Sequence, residues 1–199
     1  MRKWAVLLSF AILVGCGVNL LPTKDEWFAL HYFIMKDFEK TTYRDLIPED
    51  RVKFQTMFWE ARTSEARQEF QKRLEYVNKV HKNENPLQPW NTDRSRVFLL
   101  NGPPAYISEK TGFDTYDPRI AAQDRSGEDI TSMTAVVWQY QHKEQPVRYT
   151  FQHSSPREYK LQSIGQFEKE FEQFNKDTLY RIVDKEKYAA GLQSLKKSK

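Results

Sequence analysis

The chain has 199 residues, of which 39% are hydrophobic, 29% charged and 14% aromatic. That balance excludes a disordered polymer and predicts a charged surface over an aromatic core, in one domain or one domain with an appendage. The formal charge of +4 falls to +2 once Arg2 and Lys3 are set aside with the N-terminal segment, 29 basic groups against 27 acidic, so nucleic acid is not an expected partner.

The N-terminus carries Arg2 and Lys3 and then an apolar run from Ala5 to Val14 broken only by Ser9. A bilayer span needs about 20 apolar residues, so this run is too short to cross one and fits the apolar region of a secretory signal. It ends in Leu13-Val14-Gly15-Cys16, which resembles the lipobox of bacterial lipoproteins. The resemblance implies residues 1–15 as a cleaved signal peptide, Cys16 as the acylated first residue, and 16–24 as a lipidated tether. The alternatives are an ordinary cleaved signal, or a buried helix with an incidental cysteine. Cys16 is the only cysteine, and acylation would cap a thiol that an oxidising compartment otherwise exposes. Gly17 stands where Gram-negative lipoproteins held at the inner membrane commonly carry aspartate. The expected place is therefore the bacterial cell envelope, at the outer membrane facing the periplasm, with the membrane as a partner through the acyl chains.

A domain over 25–178 follows. Trp27, Leu30, His31, Ile34 and Phe38 recur at helical spacing, with a brief strand over His31–Met35 as the alternative. Pro48-Glu49-Asp50 starts a helix whose apolar face is Phe54, Met57, Phe58 and Ala61, widened by Trp59. Thr63 caps the next, whose inner stripe is Ala66, Phe70, Leu74, Val77 and His81. Together they predict a helical hairpin. Asn83 to Gln88 reads as a loop. Val97 to Leu100, continuously apolar, reads as a buried central strand ended by Gly102-Pro103-Pro104. Glu109 to Ser132 reads as a long loop with six acids: Glu109, Asp114, Asp117, Asp124, Glu128 and Asp129. Thr134–Gln141 and Val147–His153 alternate as an antiparallel hairpin with its turn over Lys143–Pro146. That register sets Trp138 opposite Phe151, Tyr140 opposite Tyr149, Val136 opposite His153 and His142 opposite Val147. Tyr159–Ile164 is a third candidate strand. Phe167, Phe171 and Phe174 mark an amphipathic helix, and 179–199 is a basic helical or frayed tail. The fold class is α+β: an N-terminal helical hairpin on a small, mostly antiparallel sheet, closed by a C-terminal amphipathic helix.

Trp90-Asn91-Thr92-Asp93-Arg94, then Arg96, the apolar run and Gly102-Pro103-Pro104, resemble the GWxTD domain of bacterial lipoproteins, whose pattern is Gly-Trp-x-Thr-Asp-Arg-Gly-Arg, an apolar strand and Gly-x-Pro. Phe58-Trp59-Glu60-Ala61-Arg62, Glu69-Phe70, Arg73, Glu75-Tyr76-Val77-Asn78 and Trp138-Gln139-Tyr140 extend the resemblance from about Tyr32 to Phe151. Pro89 and Ser95 depart from it, each standing where the pattern has glycine. The resemblance implies an envelope lipoprotein domain and assigns no reaction.

The chemistry in the sequence is sparse. His31, His81, His142 and His153 have no metal-ligand spacing, and no cofactor motif or nucleophile elbow is present. The candidate binding or structural motif is Trp90, Thr92, Asp93, Arg94, Arg96, Gly102 and Pro104. Asp93 is expected to accept backbone amides and to pair with Arg94, Arg96 or Arg62. The leading expectation is a binding or assembly module for an envelope protein or component. The alternative is an envelope hydrolase using Asp93 with an acid of the 109–129 loop.

Overall fold

The computed structural model describes residues 25–111, 134–155 and 157–197. Among them lie seven helices and one four-stranded antiparallel sheet, the α+β class that the sequence predicts. No helix of the described residues is long and apolar enough to cross a membrane.

The first apolar stretch is not one helix. The first helix, α1 (Glu26–His31), ends where the amides of Ile34 and Met35 both bond to the His31 carbonyl, at 3.0 and 3.1 Å. The second, α2 (Asp37–Asp45), starts where Glu39 turns back to accept from the Lys36 amide at 2.8 Å. This local capping at Lys36 interrupts a spacing that otherwise continues. The next helix, α3 (Pro48–Glu60), begins at proline with two acids in its first turn, and α4 (Ser64–Val80) begins with Thr63 accepting from the Ala66 amide. Phe54, Phe58, Ala66, Phe70 and Val77 are buried as their spacing requires.

Val97 to Leu100 is helix, not strand. The fifth helix, α5 (Asp93–Asn101), buries Val97, Phe98, Leu99 and Leu100 on successive sides. A short apolar run enclosed all round has no period to separate a buried strand from a buried helix. Punctuation decides it. Thr92 accepts from the Ser95 amide at the start, and Gly102, at φ +81°, ends the helix with its own amide bonded to the Phe98 carbonyl.

The sheet runs β1 (Tyr106–Thr111), β2 (Thr134–His142), β3 (Gln145–Ser155) and β4 (Glu158–Leu161), in that order and antiparallel throughout. Glu109, expected in a loop, sits in β1; residues 112–132 of that expected loop lie outside the described residues. The β2–β3 hairpin closes through two residues, Lys143 and Glu144, both at positive φ. A two-residue turn moves the expected register by two. Trp138 faces Tyr149, Val136 faces Phe151, Tyr140 faces Val147 and His142 faces Gln145. A shift of two keeps every side chain on its face, so the aromatic face survives. The expected opposite pairs persist as diagonal ring contacts, Trp138 with Phe151 at 4.9 Å and Tyr140 with Tyr149 at 5.7 Å.

Two helices follow, α6 (Gln166–Thr178) and α7 (Lys185–Lys197). Phe171 of α6 packs against Tyr140 and His142 of the sheet. Tyr180, Ile182, Tyr188, Leu192 and Leu195 are buried, so this stretch, read as a basic helical or frayed tail, joins the core. α5 is the hub, packed against α4, α6 and β4.

Candidate functional site

Both ends of α5 are tied down by side chains from elsewhere in the fold. At its C-terminus the Arg73 guanidinium donates to the carbonyls of Leu99 and Leu100, at 3.1 and 2.8 Å, and the Tyr180 hydroxyl donates to Leu99 at 2.9 Å. Tyr140 donates to the Gly102 carbonyl at 3.0 Å. These donors satisfy the carbonyls that a helix end leaves without intrahelical partners. Gly102 is required twice over, by its positive φ and because a Cβ there would lie 2.9 Å from Arg73 Nη2. Pro104 follows, half-buried, just before the Ala105 amide opens the pairing with Gln139 of β2.

At the N-terminus the fully buried Ser95 is the centre of a closed network. Its hydroxyl lies 2.6 Å from the Pro89 carbonyl, 2.7 Å from His81 Nδ1 and 2.9 Å from the Thr92 hydroxyl. A carbonyl only accepts, so the Ser95 proton goes to Pro89, and His81 Nδ1 and Thr92 both donate to Ser95. His81 is therefore the neutral Nδ1–H tautomer. Burial, aided by the positive charge of Arg94, lowers its pKa to about 4. A serine beside a histidine suggests an activated nucleophile, but this hydroxyl is buried and its proton points away from the imidazole.

The predicted motif residues divide between these structural tasks. Trp90 is in the core, 5% exposed, and offers no face to a ligand. Thr92 caps α5. Asp93 accepts from the Leu161 amide of β4 at 2.9 Å through Oδ2, and its Oδ1 lies 3.7 Å from Arg96 Nη1. Of the three arginines expected as its partners, Arg96 is the one it meets. Arg62 is bonded to Glu39 inside the helical half, and Arg94 is bonded to Glu84 while its guanidinium lies 3.9 Å from the centre of the Tyr159 ring. Arg96 also donates to the Asn91 side chain at 2.6 Å. Cys16 and the acids Asp114, Asp117, Asp124, Glu128 and Asp129 lie outside the described residues.

What these residues enclose is a polar cavity of about 170 Å³ at the N-terminus of α5. Its wall includes Asn91, Thr92, Asp93 and Arg96 from the motif, Glu84 and Asn85 from the preceding loop, and Glu158 and Lys160 from β4. Three ion pairs surround it: Glu84 with Arg94, Asp93 with Arg96, and Glu158 with Lys160. The first differs from the others. The Glu84 side chain is only 6% exposed, both contacts from Arg94 fall on Oε1, and Oε2 is buried without a hydrogen-bond partner. Burial raises the pKa of Glu84, against the pull of Arg94, and the carboxylates of Asp93 and Glu158 push the same way as burial. A second cavity of about 190 Å³ shares Asp93 and Arg96 as its wall and continues toward Leu161 and Lys176. A wider cleft of about 430 Å³ among α1, α3 and α4 is lined by Trp27, His31, Trp59 and Phe70. Those rings pack on one another within the core, His31 stacked on Trp27 and Phe70, and Trp59 tilted against Phe70.

Sequence reasoning missed Glu84, Asn85, Glu158 and Lys160. Glu84 sits in a stretch read only as a polar loop, and no spacing marks a residue that joins a site across 74 positions of chain (84 to 158). Among the described residues, no three of His, Asp and Glu are grouped to hold a metal ion. No protein-family model matches the chain, and no curated protein or solved structure matches it.

Proposed function

We propose that this chain is a lipid-anchored protein of the bacterial cell envelope, held at the outer membrane through acyl chains on Cys16 and facing the periplasm, whose GWxTD-like domain is a binding or assembly module for an envelope protein. The lipobox-like end of the signal segment supports the anchor. The motif resemblance supports the domain assignment. The two departures from that motif are compatible with it, because Ser95 and Pro89 are hydrogen-bonded to each other and so replace two glycines with one tie.

The observation that carries the binding reading is the division of labour around α5. Thr92, Ser95 and Asp93 are spent on capping and on clamping β4, while the residues around them wall a polar cavity drawn from three segments of the chain. Polar walls contributed by the loop before α5, the start of α5 and β4 suit recognition. The hydrolase alternative asks Asp93 to act as acid or base, yet one of its oxygens holds the Leu161 amide and the other faces Arg96. In-cell photocrosslinking from position 91, at the cavity rim, tests the reading. One discrete crosslinked protein is expected, lost when Cys16→Ser releases the chain from the membrane. A crosslinking pattern no different from that of a probe at exposed position 52 of α3, outside the cavity wall, would contradict it.

A further inference from the structure

The two edges of the sheet are treated differently. At β4 the fold supplies its own cover: α5 packs against the strand, and Asp93 accepts from the Leu161 amide at 2.9 Å. At β1, the other edge of the described sheet, every second amide and carbonyl points away from β2. Among the described residues, none of these outward groups has a hydrogen-bond partner. The helical layer stops short of this strand as well. Ile107 lies directly opposite Trp138 and so shares its face, yet Trp138 is 4% exposed and Ile107 53%. Glu109 stands on the same face, opposite Val136, exposed and without an ion pair among the described residues.

A row of free donors and acceptors at strand spacing is completed by an extended backbone, and the side chains beside it select which one. A second copy of β1 is a poor match. Opposed residues share a face, so antiparallel self-pairing centred on Glu109 opposes two carboxylates. Centring on Ser108 sets Ile107 against a carboxylate, and centring on Ile107 leaves Glu109 opposite Ala105. We infer that β1 takes an added antiparallel strand from a partner protein, an extended segment with an aliphatic residue opposite Ile107 and a lysine or arginine opposite Glu109. Antiparallel pairing puts the basic residue two positions before the aliphatic one. The inference rests on the reading of the domain as a protein-binding module, and on neither the cavity nor the anchor.

The test uses the acylated full chain in detergent, amide hydrogen exchange read by NMR, and two peptides. These are acetyl-Ser-Thr-Lys-Thr-Val-Thr-Ser-amide and the same peptide with glutamate in place of lysine. The outward amides of β1 should exchange freely in the protein alone and slow at least tenfold when the lysine peptide saturates it. The glutamate peptide should bind about fivefold more weakly, and Glu109→Lys, a change at an exposed site, should reverse that preference. Outward amides already protected in the protein alone would mean that the chain itself or a second copy covers the edge, which overturns the inference. So would equal binding of the two peptides, or a preference that Glu109→Lys leaves unreversed. Protection that falls at Asn85 and Asn91 instead of β1 overturns the edge and supports the cavity. No protection with either peptide overturns strand addition, and the crosslink from position 91 then decides the proposed function on its own.

Discussion

Two glutamate–arginine pairs with buried carboxylates stand in different parts of the fold, and they are bonded differently. In the helical half, Glu39 and Arg62 are both fully buried. Glu39 accepts from Arg62 through both oxygens and also from the Lys36 amide and the Tyr188 hydroxyl, while Arg62 reaches the Phe58 carbonyl and lies 3.6 Å from the centre of the Phe58 ring. At the cavity, Glu84 gives one oxygen to Arg94 and keeps the other unmet. The first arrangement ties α2, α3 and α7 together. The second is made through one oxygen of Glu84, and each pair leaves one buried polar atom without a partner, Arg62 Nε in the first and Glu84 Oε2 in the second. Burial alone does not rank the two pairs; the carboxylate that accepts more bonds is the one whose disruption should cost more.

The largest expected effect breaks the Glu39–Arg62 pair. Arg62→Leu leaves Glu39 charged and partly unpaired in the core, which should cost about 3–5 kcal/mol. Urea unfolding of Arg62→Leu beside Arg94→Leu measures the contrast, with Arg94→Leu expected to cost less. An equal cost would erase the distinction.

Acid comes next. Burial lowers His31 and His81 each from 6.5 to about 4. Their neutral forms are the folded ones, so the stability they permit is complete above pH 6.5 and drains away as the pH falls toward 4, by roughly 3 kcal/mol at most for either. Glu84 and Glu172, whose pKa values burial raises, act in the opposite sense and soften the fall. A thermal melt series from pH 7 to 4 should show a declining midpoint, and His81→Gln should flatten it. A midpoint independent of pH in that window would contradict the burial of these imidazoles.

Smaller effects sharpen the account of α5. Gly102→Ala forces a side chain into positive φ against Arg73, for about 1–3 kcal/mol. Ser95→Ala strands the donors of His81 and Thr92, for about 1–3 kcal/mol. Asp93→Ala should cost about 1–2 kcal/mol by freeing the Leu161 amide, and Asp93→Asn less, because an amide oxygen still accepts. If Asp93→Asn destabilises as much as Asp93→Ala, the charge matters more than the clamp.

The helices with free-standing grammar were legible in the sequence. Pro48 with its two acids and Thr63 with its hydroxyl announce α3 and α4 by local chemistry. The faces of the β2–β3 hairpin were legible as well, because alternation depends on each strand alone. Its register was not, since the two-residue turn is made by Lys143 and Glu144, neither of which advertises positive φ. α5 was hidden because its apolar residues, Val97 to Leu100, are consecutive and all buried, which leaves no stripe at helical spacing. The cavity was half legible. Thr92, Asp93 and Arg96 stood out in the motif, whereas Glu84 and Glu158 gain their place only when the loop before α5 and strand β4 meet across it.

The most direct test of the central contrast is one pair of substitutions measured side by side. Glu39→Gln and Glu84→Gln are each melted against the parent. The account predicts the larger fall in midpoint for Glu39→Gln, whose carboxylate accepts from Arg62, Lys36 and Tyr188, and the smaller for Glu84→Gln, whose carboxylate accepts from Arg94 alone. A Glu84→Gln midpoint as low as that of Glu39→Gln, or lower, would contradict it.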